Sequence, residues 1–362
     1  AGDGGEIRAV LARALLIAGG LAALLLLFQG PLKSLGFHLV AASPAVSGPA
    51  EDYIAIRIWS APATLSIYCL HGWLLGMQDA RGVLILTLAL QGLNALLSVW
   101  FVLGFGWGVS GIAGGTLLAE YLAVGVGLLL LRRHLRAEPG RLERRSVFDL
   151  AKFKALIGVS SNLMIRTLAV LTGMGLFTRV SAQLGDLTLS ANQLLQQLTI
   201  LLAYALDGFA DAAEALVGHA QGARQRQRAQ RMVLACLQLA GLAALAFTLA
   251  YALVGMEIIA LFTKHPEVVA EAAPYIIWLI AMPLVSVWCY VLDGVFLGAL
   301  RTAAIRNAML ASLAFFWMAQ ALLVPLWGNH GLWLALLLFF AARGITLGIA
   351  LPNLLRAIKP AG

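Results

Sequence analysis

Residues 232–262 read MVLACLQLAGLAALAFTLAYALVGMEIIALF, with Glu257 the single charged side chain. A helix rises about 1.5 Å per residue, so this stretch exceeds the roughly 30 Å of hydrocarbon in a bilayer. It lacks the period-two alternation of a half-buried strand. Being apolar all round, it has no face to give to water. In lipid every backbone N–H and C=O must be paired internally, which leaves a helix.

The pattern recurs along the chain. Candidate spans lie at about 9–28, 55–76, 83–105, 108–131, 153–179, 188–213, 232–262, 273–299, 306–327 and 331–356. They predict an all-α, polytopic membrane bundle of about ten transmembrane helices. Of 362 residues 61% are hydrophobic and 12% charged, against roughly 45–50% and about 25% in soluble proteins. A water-soluble fold could not hide that much apolar surface.

The net charge is +8. Such a balance can mean a nucleic-acid partner, but the positions exclude one. Arg8, Arg81, Arg132, Arg133, Arg136, Arg141, Arg144, Arg145, Lys152, Lys154, Arg224, Arg226, Arg228, Arg231, Arg301, Arg306, Arg356 and Lys359 fall in one set of alternate loops. The other set holds only Lys33, Arg179 and Lys264. By the positive-inside rule the first set is cytoplasmic. The expectation is a multi-pass inner (plasma) membrane protein with a cytoplasmic C-terminus. Cys69, Cys236 and Cys289 each lie inside an apolar segment and read as small core residues, with no disulfide framework or metal spacing.

The halves resemble each other. Pro44 and Pro266, Val46 and Val268, Tyr53 and Tyr275, Gly72 and Gly294, and Gly76 and Gly298 are each 222 residues apart. Trp107-Gly108 with Gly111 recurs as Trp327-Gly328 with Gly331, and Gly20–Leu24 recurs as Gly241–Leu245. An even number of helices in the second half gives a parallel repeat about an axis along the membrane normal. The expected organisation is a partial N-lobe of four helices over 1–131, a polar cytoplasmic linker over 132–150, and a C-lobe of six helices over 151–362. The repeat offset leads one to expect two more helices, about 75 residues, before Ala1. Membrane bundles with such repeats are commonly transporters.

A charge near the bilayer centre costs several kcal/mol unless it faces a polar cavity or a partner. Mid-span the chain keeps Glu120, Arg166 and Arg343. Closer to the cytoplasmic ends it keeps His71, Asp207, Asp211, Glu214 and Asp293. Gln193, Gln197, Tyr204, Asp207, Asp211 and Glu214 form one stripe on an apolar helix. That stripe is expected to look into the bundle and line a cavity for a cation or proton, though Asp211 and Glu214 also read as headgroup-level partners of the Arg224–Arg231 loop. Asp293 holds the repeat position of His71. Either group could carry protons, or Asp293 could pair with an arginine across the bundle. Internal ion pairs are open to Glu120, Arg166 and Arg343. Pro62 and Pro283 sit at corresponding places and read as helix interruptions, hinges or static kinks. Asp207 with Asp293 could also share a proton as an intramembrane hydrolase would, but no nucleophile pair, metal spacing or phosphate loop supports an enzyme.

Four stretches carry a family resemblance: Arg57-Ile58-Trp59-Ser60-Ala61-Pro62-Ala63 with Gly72-Trp73-Leu74-Leu75-Gly76, Ala203–Ala210, Trp288–Gly294 with Gly298-Ala299, and Gly328–Leu336. They resemble the MATE (multidrug and toxic compound extrusion) family, in its DNA-damage-inducible (DinF) branch. The resemblance implies a two-lobed, twelve-helix antiporter, monomeric, working by alternating access. It would export organic cations or other amphipathic compounds on a proton or sodium gradient, with no cofactor besides the coupling ion. The present chain then corresponds to helices 3 to 12, without the first helix and its coupling aspartate. The family's Asn-x-x-x-Asp reads Asn94-Ala95-Leu96-Leu97-Ser98 here, a serine in place of the carboxylate. Asn94 and Thr116 still match the N-lobe polar cluster, and Glu120 is a candidate substitute. The alternative is a lipid-linked sugar flippase of the same superfamily, whose anionic cargo calls for several cavity arginines.

Overall fold

The computed structural model describes residues 4–40, 44–137 and 144–358. All regular structure among them is helical: α1 (Gly4–Leu27), α2 (Gln29–Val40), α3 (Pro44–Arg57), α4 (Ala61–Gly76), α5 (Ala80–Val99), α6 (Gly108–Ala137), α7 (Arg144–Val147), α8 (Leu150–Leu184), α9 (Asp186–Gly222), α10 (Arg226–Phe262), α11 (Pro266–Ala272), α12 (Ile276–Gly298) and α13 (Thr302–Ala357). Within the linker, Pro139, Gly140 and Arg141 lie outside the described residues, as does Lys359.

Eight of these segments are long and apolar enough to cross a membrane. The last, α13, is two helices joined at Gly328, where φ is +55° and ψ is −130°. A side chain is strained there, so the repeated Trp-Gly motif encodes a reversal: Gly108 has φ +52° at the corresponding place. The 37-residue α9, which carries the Gln and carboxylate side chains, is not among these eight.

Helix ends at related places share a geometry. Gln78, Arg224 and Leu300 have φ of 57°, 56° and 55°. In each case the next residue donates back across the turn: Asp79 to Leu74, Gln225 to Ala220 and Arg301 to Phe296. This is a left-handed cap that satisfies the last carbonyls of a helix. Gln78 and Leu300 are 222 residues apart, so the repeat is written into the backbone as well as the sequence. At the α4–α5 turn Asp79 caps α5, accepting from the Gly82 amide at 2.9 Å, and meets His134 Nε2 at 2.7 Å. The His134 contact, then the amide bond, hold the Asp79 carboxyl below its ordinary range.

The chain separates into two compact units, Gly2–Leu156 and Ile157–Gly362. In the first, Leu11, Ile67, Leu70, Leu74, Leu86 and Ala123 form a small core between α1, α4, α5 and α6. Glu6 at the start of α1 collects Arg13, Lys152 Nζ at 2.5 Å and Ser146 Oγ at 3.0 Å. In the second, α12 is the axis, packed by α9, α10 and α13. The core there is larger and includes Leu195, Leu202, Leu206, Val287, Phe296, Phe316 and Trp333.

The two prolines play different parts. Pro62 lies within the single helical span Ala50–Gly76, just after the 3-10 turn Ile58–Ser60 that interrupts its α-helical run. Proline lacks the N–H that would continue the i→i−4 ladder there. Pro283 is buried inside α12. One turn earlier the Ile280 carbonyl accepts Thr248 Oγ1 of α10 at 3.0 Å, a donor placed where proline disturbs the helical ladder.

Candidate functional site

The site begins with two glycines. A Cβ on Gly294 would collide with the Ala210 carbonyl, and one on Gly298 with the Glu214 carbonyl. Without Cβ atoms α12 comes to backbone contact with α9, the small-residue approach that membrane helices favour. Asp293, beside Gly294, is thereby set next to the α9 positions Asp207, Asp211 and Glu214.

Asp293 is buried and held from two sides. Arg343 of α13 pairs with its Oδ2 and places Nε 3.3 Å from Oδ1, a two-pronged contact. Arg166 of α8 donates from Nη2 to Oδ2 at 2.8 Å. The Arg343 guanidinium also lies 5.9 Å over the Tyr290 ring, a cation–π placement. Arg166, Asp207, Asp211, Glu214, Tyr290 and Asp293 all line one cavity of about 180 Å³. Two guanidiniums therefore meet four carboxylates, and full ionisation leaves two negative charges in excess. Asp207 and Glu214 have no hydrogen bond or ion pair among the described residues, while Asp293 has two arginines.

The apolar face of α9, Leu195, Leu198, Leu202 and Leu206, is buried, whereas Gln193, Gln197, Tyr204 and Asp207 of the polar stripe are exposed. Toward the C-terminal end of α9 the stripe becomes the wall of the cavity.

In the first unit Glu120 pairs with Arg57 at 3.1 Å and accepts Thr64 Oγ1 at 2.8 Å. Its partner is neither Arg166 nor Arg343, and it is committed to α3 and α4 rather than joined to the Asn94 group. Asn94 Oδ1 accepts Ser98 Oγ at 3.2 Å and Thr116 Oγ1 at 3.5 Å, so those three do come together between α5 and α6. Gly115, packed on the Ser98 backbone, sets their approach. His71 is half-buried with no hydrogen bond among the described residues. Gly72 beside it meets open space.

One network escaped the sequence reading. Asn192 donates to Ser181 Oγ at 2.8 Å and to Asn329 Oδ1 at 2.7 Å, and it accepts from Asn329 Nδ2 and Trp333 Nε1. This buried amide pair ties α8 and α9 to the reversal at Gly328. An Asn on the apolar side of α9, next to the Gln stripe, was the available signal.

Comparison with known proteins matches residues 1–100 and 163–321 to the MatE family model. The chain is 40% identical to Escherichia coli DNA damage-inducible protein F over 338 residues, 93% of this chain and 73% of that protein. It is 27% identical to the probable multidrug resistance protein NorM of Rhizobium meliloti, covering 88% and 71% of the two. The Vibrio cholerae MATE transporter VcmN in its bent form matches in structure with a TM-score of 0.80 at 18% identity, over 98% of this chain and 84% of that one. A Pyrococcus furiosus MOP superfamily transporter, described as having a binding pocket of reverse polarity, matches at 0.83 and 17%, over 99% and 84%.

Proposed function

This chain belongs to the MatE family of membrane transporters, and from that premise we propose that it is a secondary active antiporter exporting organic cations or other amphipathic compounds. A proton or sodium gradient drives it, and the lobes alternate access. The observation that carries this reading is the excess of carboxylates around the α9–α12 cavity. At membrane depth an uncompensated charge is costly even where it lines a cavity. A guest cation, or a proton, compensates. Asp207 and Glu214 receive it; Asp293, already neutralised by Arg343, holds the helices in register. Gln193, Gln197, Tyr204 and Asp211 extend the polar surface along which a guest approaches. The naming of NorM and of the plant DETOXIFICATION proteins among its relatives accords with efflux of toxic compounds. The bias of basic residues supports a cytoplasmic C-terminus in the inner membrane.

A lipid-linked sugar flippase would present an anionic cargo to this surface. Two arginines against four carboxylates disfavour that cargo. In the first unit Asn94, Ser98 and Thr116 offer a second, neutral cluster, which we assign to the coupling cation rather than the substrate, with Glu120 held apart from it by Arg57.

The test is dye efflux from proteoliposomes under an imposed proton or sodium gradient. Efflux is expected to follow one gradient and to fall at least tenfold in Asp207→Asn. Efflux indifferent to both gradients contradicts antiport. Unchanged efflux in Asp207→Asn contradicts the site.

A further inference from the structure

The two arginines on Asp293 are not equivalent. The Arg343 side chain is 3% exposed, engages both carboxylate oxygens and is covered by Tyr290. Its one charge matches that of Asp293, which it grips through both oxygens. The Arg166 side chain is 32% exposed and touches Asp293 through one nitrogen. Its Nε is buried without a hydrogen-bond partner. Arg166 lines the cavity and Arg343 does not. Arg166 also lies within electrostatic reach of Asp207, which has no other cation bonded to it. Its positive charge is thus surplus to Asp293 and serves the α9 carboxylates from across the cavity.

We propose that Arg166 is a resident cation, occupying the electrostatic place of the guest, which a monovalent organic cation displaces when it enters beside Asp207 and Glu214. This rests on the reading of the cavity as a cation-transport site. The guest and the guanidinium compete for the same carboxylates, since like charges in a low-dielectric cavity repel strongly. Two consequences follow. Arg166 sets affinity by opposing the guest, so it keeps binding weak enough for release. It also selects for guests bearing a single positive charge, because these replace what the arginine supplies. Asp293, kept by Arg343, stays paired when Arg166 lets go.

The test is ethidium binding to the full chain in detergent, followed by fluorescence anisotropy, with thermal midpoints measured alongside. Arg166→Gln is expected to bind ethidium at least tenfold more tightly than the parent and to melt close to it. Arg166→Lys, which keeps the charge, is expected to bind like the parent, and Asp207→Asn at least tenfold more weakly. Unchanged or weaker binding in a folded Arg166→Gln overturns the inference while leaving the transport reading intact, provided the parent binds and Asp207→Asn does not. Absence of ethidium binding by the parent overturns the transport reading and this inference with it. Should Arg166→Gln and Arg166→Met both fail to fold, Asp293 needs both arginines and the resident-cation role is overturned.

Discussion

Gly72 and Gly76 on α4 and Gly294 and Gly298 on α12 hold the same places in the repeat, but only the second pair is pressed against a neighbour. Gly294 and Gly298 meet the backbone of α9 at Ala210 and Glu214; Gly72 and Gly76 meet open space. The residue before the first glycine differs accordingly. In the second unit it is Asp293, clamped by arginines, and in the first it is His71, which has no hydrogen bond among the described residues. The difference teaches that the repeat keeps the backbone and lets the chemistry diverge. The caps at Gln78 and Leu300 and the reversals at Gly108 and Gly328 are shared. The charges are not: the buried carboxylate of the first unit, Glu120, is on α6 and pairs with α3.

The sharpest way to break that contrast is alanine at the matched glycines. Gly294→Ala drives a methyl group into a backbone carbonyl that cannot swing aside. The expected loss is about 3 kcal/mol or more, in the range of severe overpacking. Gly72→Ala adds a methyl group to open space and is expected to change the thermal midpoint little. Equal effects at the two positions would dissolve the contrast.

Next in size is the clamp on Asp293. Arg343→Gln leaves a buried carboxylate with one half-exposed partner, and removing one member of a buried pair costs about 3–5 kcal/mol. The corresponding change in the first unit, Arg57→Gln, is expected to be milder because the Arg57 side chain is 25% exposed. Denaturation of the two variants side by side checks the order.

A shared feature supplies a smaller effect of opposite sign. Leu300 and Gln78 occupy left-handed caps that favour glycine. Leu300→Gly and Gln78→Gly are each expected to stabilise by about 0.5–1 kcal/mol. Similar gains in both halves would sharpen the claim that the turns are conserved between them; a loss in either would weaken it.

The smallest effect is at Asp79. Its carboxyl titrates below the ordinary range when folded, so its stabilisation is present above the unfolded-state value near 4 and fades as pH falls toward the lowered one. Asparagine caps a helix about as well as aspartate. Asp79→Asn is therefore expected to lose only about 0.5 kcal/mol at pH 7, and the gap to the parent should close below about pH 4. Thermal melts from pH 3 to 7 read this directly.

Much of the architecture was legible because lipid imposes simple rules. The apolar stretches gave an all-helical chain with eight segments long and apolar enough to cross a membrane, and Trp327-Gly328 marked the break inside α13. The spacing of Asp207, Asp211 and Glu214 put them on one face. What was not legible depended on pairing between helices far apart in sequence. Arg57 sits at a helix end, and nothing local says that its partner is Glu120, 63 residues on. Asn192 and Asn329 are each unremarkable until the fold places them 2.7 Å apart. On α9 the leucines at 195, 198, 202 and 206 take the buried face, while Asp207, Asp211 and Glu214 line the cavity.

With Asp207, Asp211, Glu214 and Asp293 against Arg166 and Arg343, the cavity beside α9 and α12 is negative overall when all are ionised. Equilibrium binding of tetraphenylphosphonium and tetraphenylborate, two ions of one shape and opposite sign, tests it most directly. Saturable binding of the phosphonium, at least tenfold tighter than the borate and weakened in Asp207→Asn, is the predicted result. Borate binding as tight as phosphonium binding, or tighter, would contradict it.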